Sequence, residues 1–171
     1  MKQLLGFALV ALSLFALIGC GQDVDTEKPP DIVYGQDVCD RCNMIINEEK
    51  FAAAYWTEDG EARRFDDIGG MLAYTSEKDD VVASYWVHDY ATGEWMRAEG
   101  AYYVLNSDLM TPMGFGIAAF AEKDQAEAMS QGLEGVAVLP SIELLDMDIK
   151  MPGDLHGTGH EHDESQSLPG G

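Results

Sequence analysis

Cysteine is scarce in this 171-residue chain, which contains three. Three thiols exclude a scaffold stapled by a dense disulfide framework, so the fold must rest on a packed core. Basic residues are also few, ten Lys and Arg against 31 Asp and Glu, for a net charge of -21. Such a surface excludes binding to nucleic acid and charge-driven adhesion to anionic lipid. It concentrates cations near the protein, and it equally fits a salty habitat in which screening removes self-repulsion. Catalytic signatures are missing too. No Gly-rich phosphate loop, no G-x-S-x-G and no histidine spaced to serve a nucleophile is found, so the chain reads as a non-enzyme.

The N-terminus has the pattern of a targeting segment. Lys2 precedes an almost unbroken apolar run from Leu4 to Ile18, too short for a comfortable membrane span and suited to a secretory signal. Its end, Leu17-Ile18-Gly19-Cys20, is similar to the bacterial lipobox, in which the cysteine is acylated and becomes the mature N-terminus. Residues 1–19 are then a signal peptide, Cys20 the lipidation site, and the protein is anchored to a bacterial membrane outside the cytoplasm. Residues 20–36, with Lys28-Pro29-Pro30 and little to bury, read as the tether.

Alternating signals follow over residues 37–146. Phe51–Trp56 is a candidate strand, Asp59-Gly60 a hairpin turn and Ala62–Phe65 the return strand. Asp66 or Asp67 can cap a helix that places Ile68, Met71, Leu72 and Thr75 on one face, although Gly69-Gly70 weakens it. Val81–Tyr90 is the strongest strand. The order then recurs. Residues 95–105 form one strand or a member of a strand pair, with Gly100 as a bulge or break, residues 114–121 a second strand, residues 122–131 a helix, and Val136–Leu145 a returning strand in which Pro140 marks an edge or bulge. The expectation is an α+β domain of two similar ββαβ halves, about 48–92 and 93–146, packed together because neither alone buries both faces of its sheet.

With Cys20 assigned to lipid, two thiols remain, in Cys39-Asp40-Arg41-Cys42-Asn43-Met44. Thiolate and thioether are soft donors, which select Cu(I), with zinc competing for the thiolates. A thiol–disulfide exchanger is a second reading, but those enzymes place C-x-x-C at a helix N-terminus after a strand, and here a polar tether precedes it. A structural disulfide is a third, though it would close only a tiny loop. Either would leave a redox protein or a binding module. His88, the one histidine between the tether and residue 146, is the imidazole candidate, with a satisfied half-buried histidine as the plainer reading. Residues 147–171 form an acidic tail of disordered composition, in which His156, His160 and His162 make a secondary, weak metal site.

The series of signatures resembles the NosL family. It comprises the lipobox, the tether, CDRCNM, then Phe65-Asp66-Asp67-Ile68-Gly69-Gly70-Met71, and finally Pro112-Met113-Gly114 running into Ala118-Ala119-Phe120-Ala121. The resemblance spans about residues 17–146 and leaves the histidine tail outside. It implies an extracytoplasmic lipoprotein that binds Cu(I) and supplies it to nitrous oxide reductase, and a fold of two ββαβ halves. By residue it points to Cys39, Cys42 and Met44 as ligands, and to Met113 as a loop methionine that lines or completes the site.

Overall fold

The computed structural model describes residues 24–140 except 132 and 134. The signal segment, Cys20, residues 141–145 of the last predicted strand, and the tail with His156, His160 and His162 lie outside the described residues. Among those described, no helix is long and apolar enough to cross a membrane.

Two antiparallel sheets and two helices make the fold. In the first unit, β1 (Ala53–Thr57) and β2 (Ala62–Phe65) form a hairpin. Helix α1 (Ile68–Glu77) follows, and β3 (Val82–His88) returns to the other side of β1. The second unit repeats this with β5 (Tyr102–Leu105), β6 (Ile117–Phe120), α2 (Lys123–Ser130) and β7 (Ala137–Pro140). The strand orders correspond, β2-β1-β3 and β6-β5-β7, so the ββαβ repeat is present in the topology. Pro140 ends an edge strand, where its missing N–H costs no ladder bond.

The expected boundary between the halves requires correction. Of the two readings of Trp95 to Leu105, the single strand is excluded and the break at Gly100 is observed. The segment β4 (Trp95–Arg97) pairs with β3 and extends the first sheet, and a 3-10 turn at Ala98–Gly100 carries the chain to β5 in the second. Ala98 is fully buried and its carbonyl accepts from the Tyr103 hydroxyl, so the crossover is fixed by packing. The strand expected over 114–121 is also shorter, because Gly114 and Gly116 adopt positive φ in a turn before β6. At Gly116 no other residue fits, since a Cβ there would overlap the Asn106 carbonyl.

One face of each sheet contributes to a shared core. Tyr55, Phe65 and Val87 from the first sheet meet Tyr103, Ile117 and Ala119 from the second, with Ile68, Met71 and Leu72 of α1 among them. The outer face of the second sheet is covered by α2, where Val104, Ala118 and Phe120 pack with Ala126. The outer face of the first sheet is covered by residues read from sequence as a free tether. The Trp56 indole N–H donates to the Lys28 carbonyl at 2.8 Å, the Ser84 hydroxyl to the Thr26 carbonyl at 2.8 Å, and Arg64 to the Asp31 carbonyl at 2.6 Å. Residues 24–34 are therefore a strap laid across the sheet, and it leads directly into the cysteine motif.

Candidate metal centre

The strap turns at Val33–Asp37 and enters a short hairpin. The Ile46 N–H donates to the Asp37 carbonyl at 2.9 Å and the Cys39 N–H to the Met44 carbonyl at 2.8 Å, with Val38 and Ile45 paired between them. The tip, Asp40–Asn43, closes because Asn43 takes the left-handed conformation, φ 60°, that asparagine tolerates better than most residues. The tip is docked as well. The Asp40 N–H donates to the Arg64 carbonyl at 2.8 Å, and the Arg64 N–H to the Asp40 carboxylate at 2.6 Å. The two cysteines thus sit on a pinned loop against the end of β2, not at the start of a helix.

Both cysteines are free thiols, Cys39 buried and Cys42 partly exposed. The end of β2 adds a third group. Asp66 is 2% exposed, and the Cys42 thiol donates to its Oδ2 at 3.3 Å. One donor atom from each of Cys39, Cys42 and Asp66 lies within 4.8 Å of the other two. Among the described residues, two buried side-chain polar atoms lack a hydrogen-bond partner, Asp66 Oδ1 and Arg41 Nη1, and both belong to this site. Orphaned polar atoms are rare in native interiors; Asp66 Oδ1, an acceptor beside two thiols, is one that a metal ion would complete, whereas Arg41 Nη1 is a donor and needs an acceptor instead. Met44 is half-exposed and lines an open cleft with Asn43, Asp66 and Pro112, so its thioether can join an ion there.

Burial pushes the Cys42 thiol up to about 12, and the adjacent Cys39 thiol and Asp66 carboxylate add to the rise against a hydrogen bond from the Met44 backbone. The folded value lies above the ordinary 9.0. The stability contributed by the protonated thiol is therefore fully present below pH 9 and is lost as pH climbs toward about 12. A metal ion must displace this proton. The apparent affinity for a thiolate-bound metal should rise with pH by about tenfold per unit for the Cys42 proton, a slope measured by competition titration at two pH values near neutrality.

The neighbouring aspartate has a different task. Asp67 is fully buried and caps α1, with Oδ1 accepting from the Gly69 N–H at 2.9 Å. Its Oδ2 accepts from the Thr111 hydroxyl at 2.6 Å and the Met113 N–H at 3.0 Å. Burial holds the carboxyl above the usual carboxylate range, against those three hydrogen bonds. Asp67 thereby ties the loop carrying Met113 to the helix start. The two glycines that weaken the helix in isolation serve this contact. A Cβ on Gly69 would overlap the Phe115 ring, and one on Gly70 would meet the Met113 sulfur at 2.8 Å. The Arg41 side chain reaches the same turn, 3.9 Å from that position, so the structure brings the Met113 loop and the cysteine motif to one helix end.

His88 is not brought there. It is 1% exposed and both ring nitrogens are occupied. Nδ1 lies 2.7 Å from the Gly93 carbonyl, which only accepts, so Nδ1 carries the proton. Nε2 therefore accepts from the Tyr34 hydroxyl at 2.7 Å, and the ring packs at a tilt of 36° against Trp95 with centroids 3.8 Å apart. Burial lowers its pKa and keeps it neutral. The imidazole candidate is thus a core residue under the strap, and the reading of His88 as a ligand is withdrawn. Met110 lies at the surface, 86% exposed, before the Met113 loop.

The residue missed from sequence is Asp66. The doublet Asp66-Asp67 was a visible signal, because a helix has one cap position and the second acid needs another use. Which carboxylate does which depends on how β2 ends, and periodicity does not show that.

Comparison with known proteins agrees with this architecture. A family model described as NosL matches residues 32–145, more than half of the chain. The copper-binding lipoprotein NosL of Stutzerimonas stutzeri is 28% identical over 170 residues, covering 92% of this chain and 89% of that protein. The crystal structure of the copper chaperone NosL from Shewanella denitrificans matches with a TM-score of 0.57 at 20% identity, covering 66% of this chain and 92% of that one, which is a likeness of fold. On the extent of the family match, the chain belongs to the NosL family.

Proposed function

We propose that this protein is a lipid-anchored Cu(I) metallochaperone outside the cytoplasm, which binds copper and passes it to a cuproenzyme without catalysing a reaction. The single observation that carries the reading is the pair of free thiols on the pinned loop, one buried and one reachable, beside the exposed thioether of Met44. Cys39 and Cys42 serve as thiolates, Met44 as the soft neutral donor, and Met113 as a further thioether from the facing loop. Two or three sulfur donors suffice for Cu(I) and leave a position open to an incoming ligand. Release then proceeds by ligand exchange, with no change of oxidation state. Copper entry displaces the thiol protons, so the cysteines must be kept reduced. The lipoprotein name of the Stutzerimonas relative supports anchoring through Cys20.

Nitrous oxide reductase is the client to which the family resemblance points. Copper-loaded protein mixed with apo-nitrous oxide reductase tests this through the copper content of the re-isolated enzyme. Transfer of copper to the enzyme is the expected result. An enzyme that takes up free Cu(I) but none from the loaded protein would contradict it.

A further inference from the structure

We infer that the domain stands on a zwitterionic bilayer by the β1–β2 turn, with the cleft between the strap and Trp56 facing the phospholipid headgroups. This orientation rests on the lipid at Cys20 of the proposed function and not on copper.

Three observations support it. First, the chain between the lipid site and the fold has almost no slack. Val24 packs on the turn, where a Cβ on Gly60 would lie 3.3 Å from its Cγ2, and the carbonyls of Thr26 and Lys28 already accept from Ser84 and Trp56. Four residue steps separate Cys20 from Val24, a reach of about 14 Å at most, of which the headgroup layer itself takes about 5–7 Å. A cysteine whose acyl chains enter the hydrocarbon therefore holds Val24 at the headgroup surface.

Second, the surface there suits headgroups. The cleft beside the turn is lined by Val24 and Trp56, by Lys28 and Arg64, and by Asp25 and Asp31. Trp56 supplies the amphipathic ring that settles at bilayer interfaces. Lys28 and Arg64 match a phosphate, and Asp25, Asp31 and the indole face match a choline or ethanolamine ammonium. The paired signs fit a zwitterion, while Glu58, Asp59 and Glu61 around the turn repel anionic lipid.

Third, the cysteine loop lies at the opposite end of β2. Asp66 follows Gly60 by six residues, about 20 Å at the rise of a strand. The docked strap thus holds the metal centre away from the bilayer at a set height, where a partner can reach it, instead of swinging it on a free tether.

The test reads tryptophan emission of the acylated full chain in phosphatidylcholine vesicles that carry a nitroxide quencher on the headgroup. Two exposed positions serve as probes. Val24→Trp reports from the cleft, and Met110→Trp from the far end, beside Thr111 where it bonds Asp67. The emission added at position 24 should be largely quenched and that added at position 110 retained. Trp56→Phe gives an independent reading, because it should lower the quenchable fraction of the native emission. Retained emission in Val24→Trp, equal quenching at both positions, or an unchanged quenchable fraction in Trp56→Phe would overturn the orientation and leave the anchor standing, provided the mass of the chain includes the acyl groups. A mass without them would remove both.

Discussion

Replacing either thiol, Cys39→Ser or Cys42→Ser, should lower Cu(I) affinity by more than about a hundredfold, since changes to groups that merely support a ligand already cost 10–100-fold. A hydroxyl is a hard, weakly acidic donor and does not replace a thiolate on Cu(I). The two variants should differ in their effect on the fold. Cys39 is fully buried in the shared core among Ile46, Phe65 and Ile68, so a serine there also carries a polar group into an apolar site. Cys42 is partly exposed and its thiol already faces Asp66, an acceptor that a serine hydroxyl also satisfies. Cys42→Ser should therefore melt close to the wild type while losing copper, and Cys39→Ser should lose both stability and copper. Competition titration with a Cu(I) chelator, alongside thermal melts, measures the two effects separately. A Cys42→Ser variant that retains wild-type Cu(I) affinity would remove Cys42 from the ligand set.

The second large effect concerns the fold around the site. Asp67→Ala should destabilise the protein by about 2–4 kcal/mol. Loss of a helix cap costs about 1 kcal/mol, and each hydrogen bond to a charged acceptor contributes about 1.5–3 kcal/mol. The expected loss lies below the sum of these terms, because burial of this carboxylate is itself costly, as its raised pKa indicates. A loss of that size lowers the melting temperature of a domain near 100 residues by about 10–20 °C. Asp67→Asn should fall between the two. Its single carbonyl oxygen satisfies either Gly69 or the Thr111–Met113 side, and in the first arrangement its NH2 faces the Met113 N–H. Thermal denaturation of the three proteins at neutral pH checks the order. An Asp67→Ala variant within about 0.5 kcal/mol of the wild type, the range of ordinary surface changes, would show that the Asp67 network does not hold the Met113 loop.

Much of the fold was legible because its signals are local. Asp59-Gly60 marked the β1–β2 hairpin, and a cap followed by apolar spacing marked α1 despite its glycines. The features that escaped are made by backbone atoms or by distant partners. The strap docks through the carbonyls of Thr26, Lys28 and Asp31, which leave no side-chain pattern, so a polar Lys-Pro-Pro stretch read as free chain. That mistake also explains His88, whose ring lies on the face the strap covers and bonds to Tyr34 at the strap's end. Gly100 marked the break between β4 and β5, but that the two pieces join different sheets depends on tertiary pairing, which a single-sequence pattern does not show. At the candidate metal centre the two thiols stand out in the sequence by their spacing. Asp66 does not, because its proximity to Cys42 comes from the docking of Asp40 on Arg64, a contact between residues 24 positions apart.

The central claim is that the paired thiols of this loop hold Cu(I). It is tested most directly by titrating the reduced wild-type protein with Cu(I) against a chelator of known affinity, under anaerobic conditions. The account predicts that one copper per chain is retained with a dissociation constant on the order of picomolar or tighter, as thiolate ligation of Cu(I) requires. Surrender of the copper to a weak chelator would contradict it.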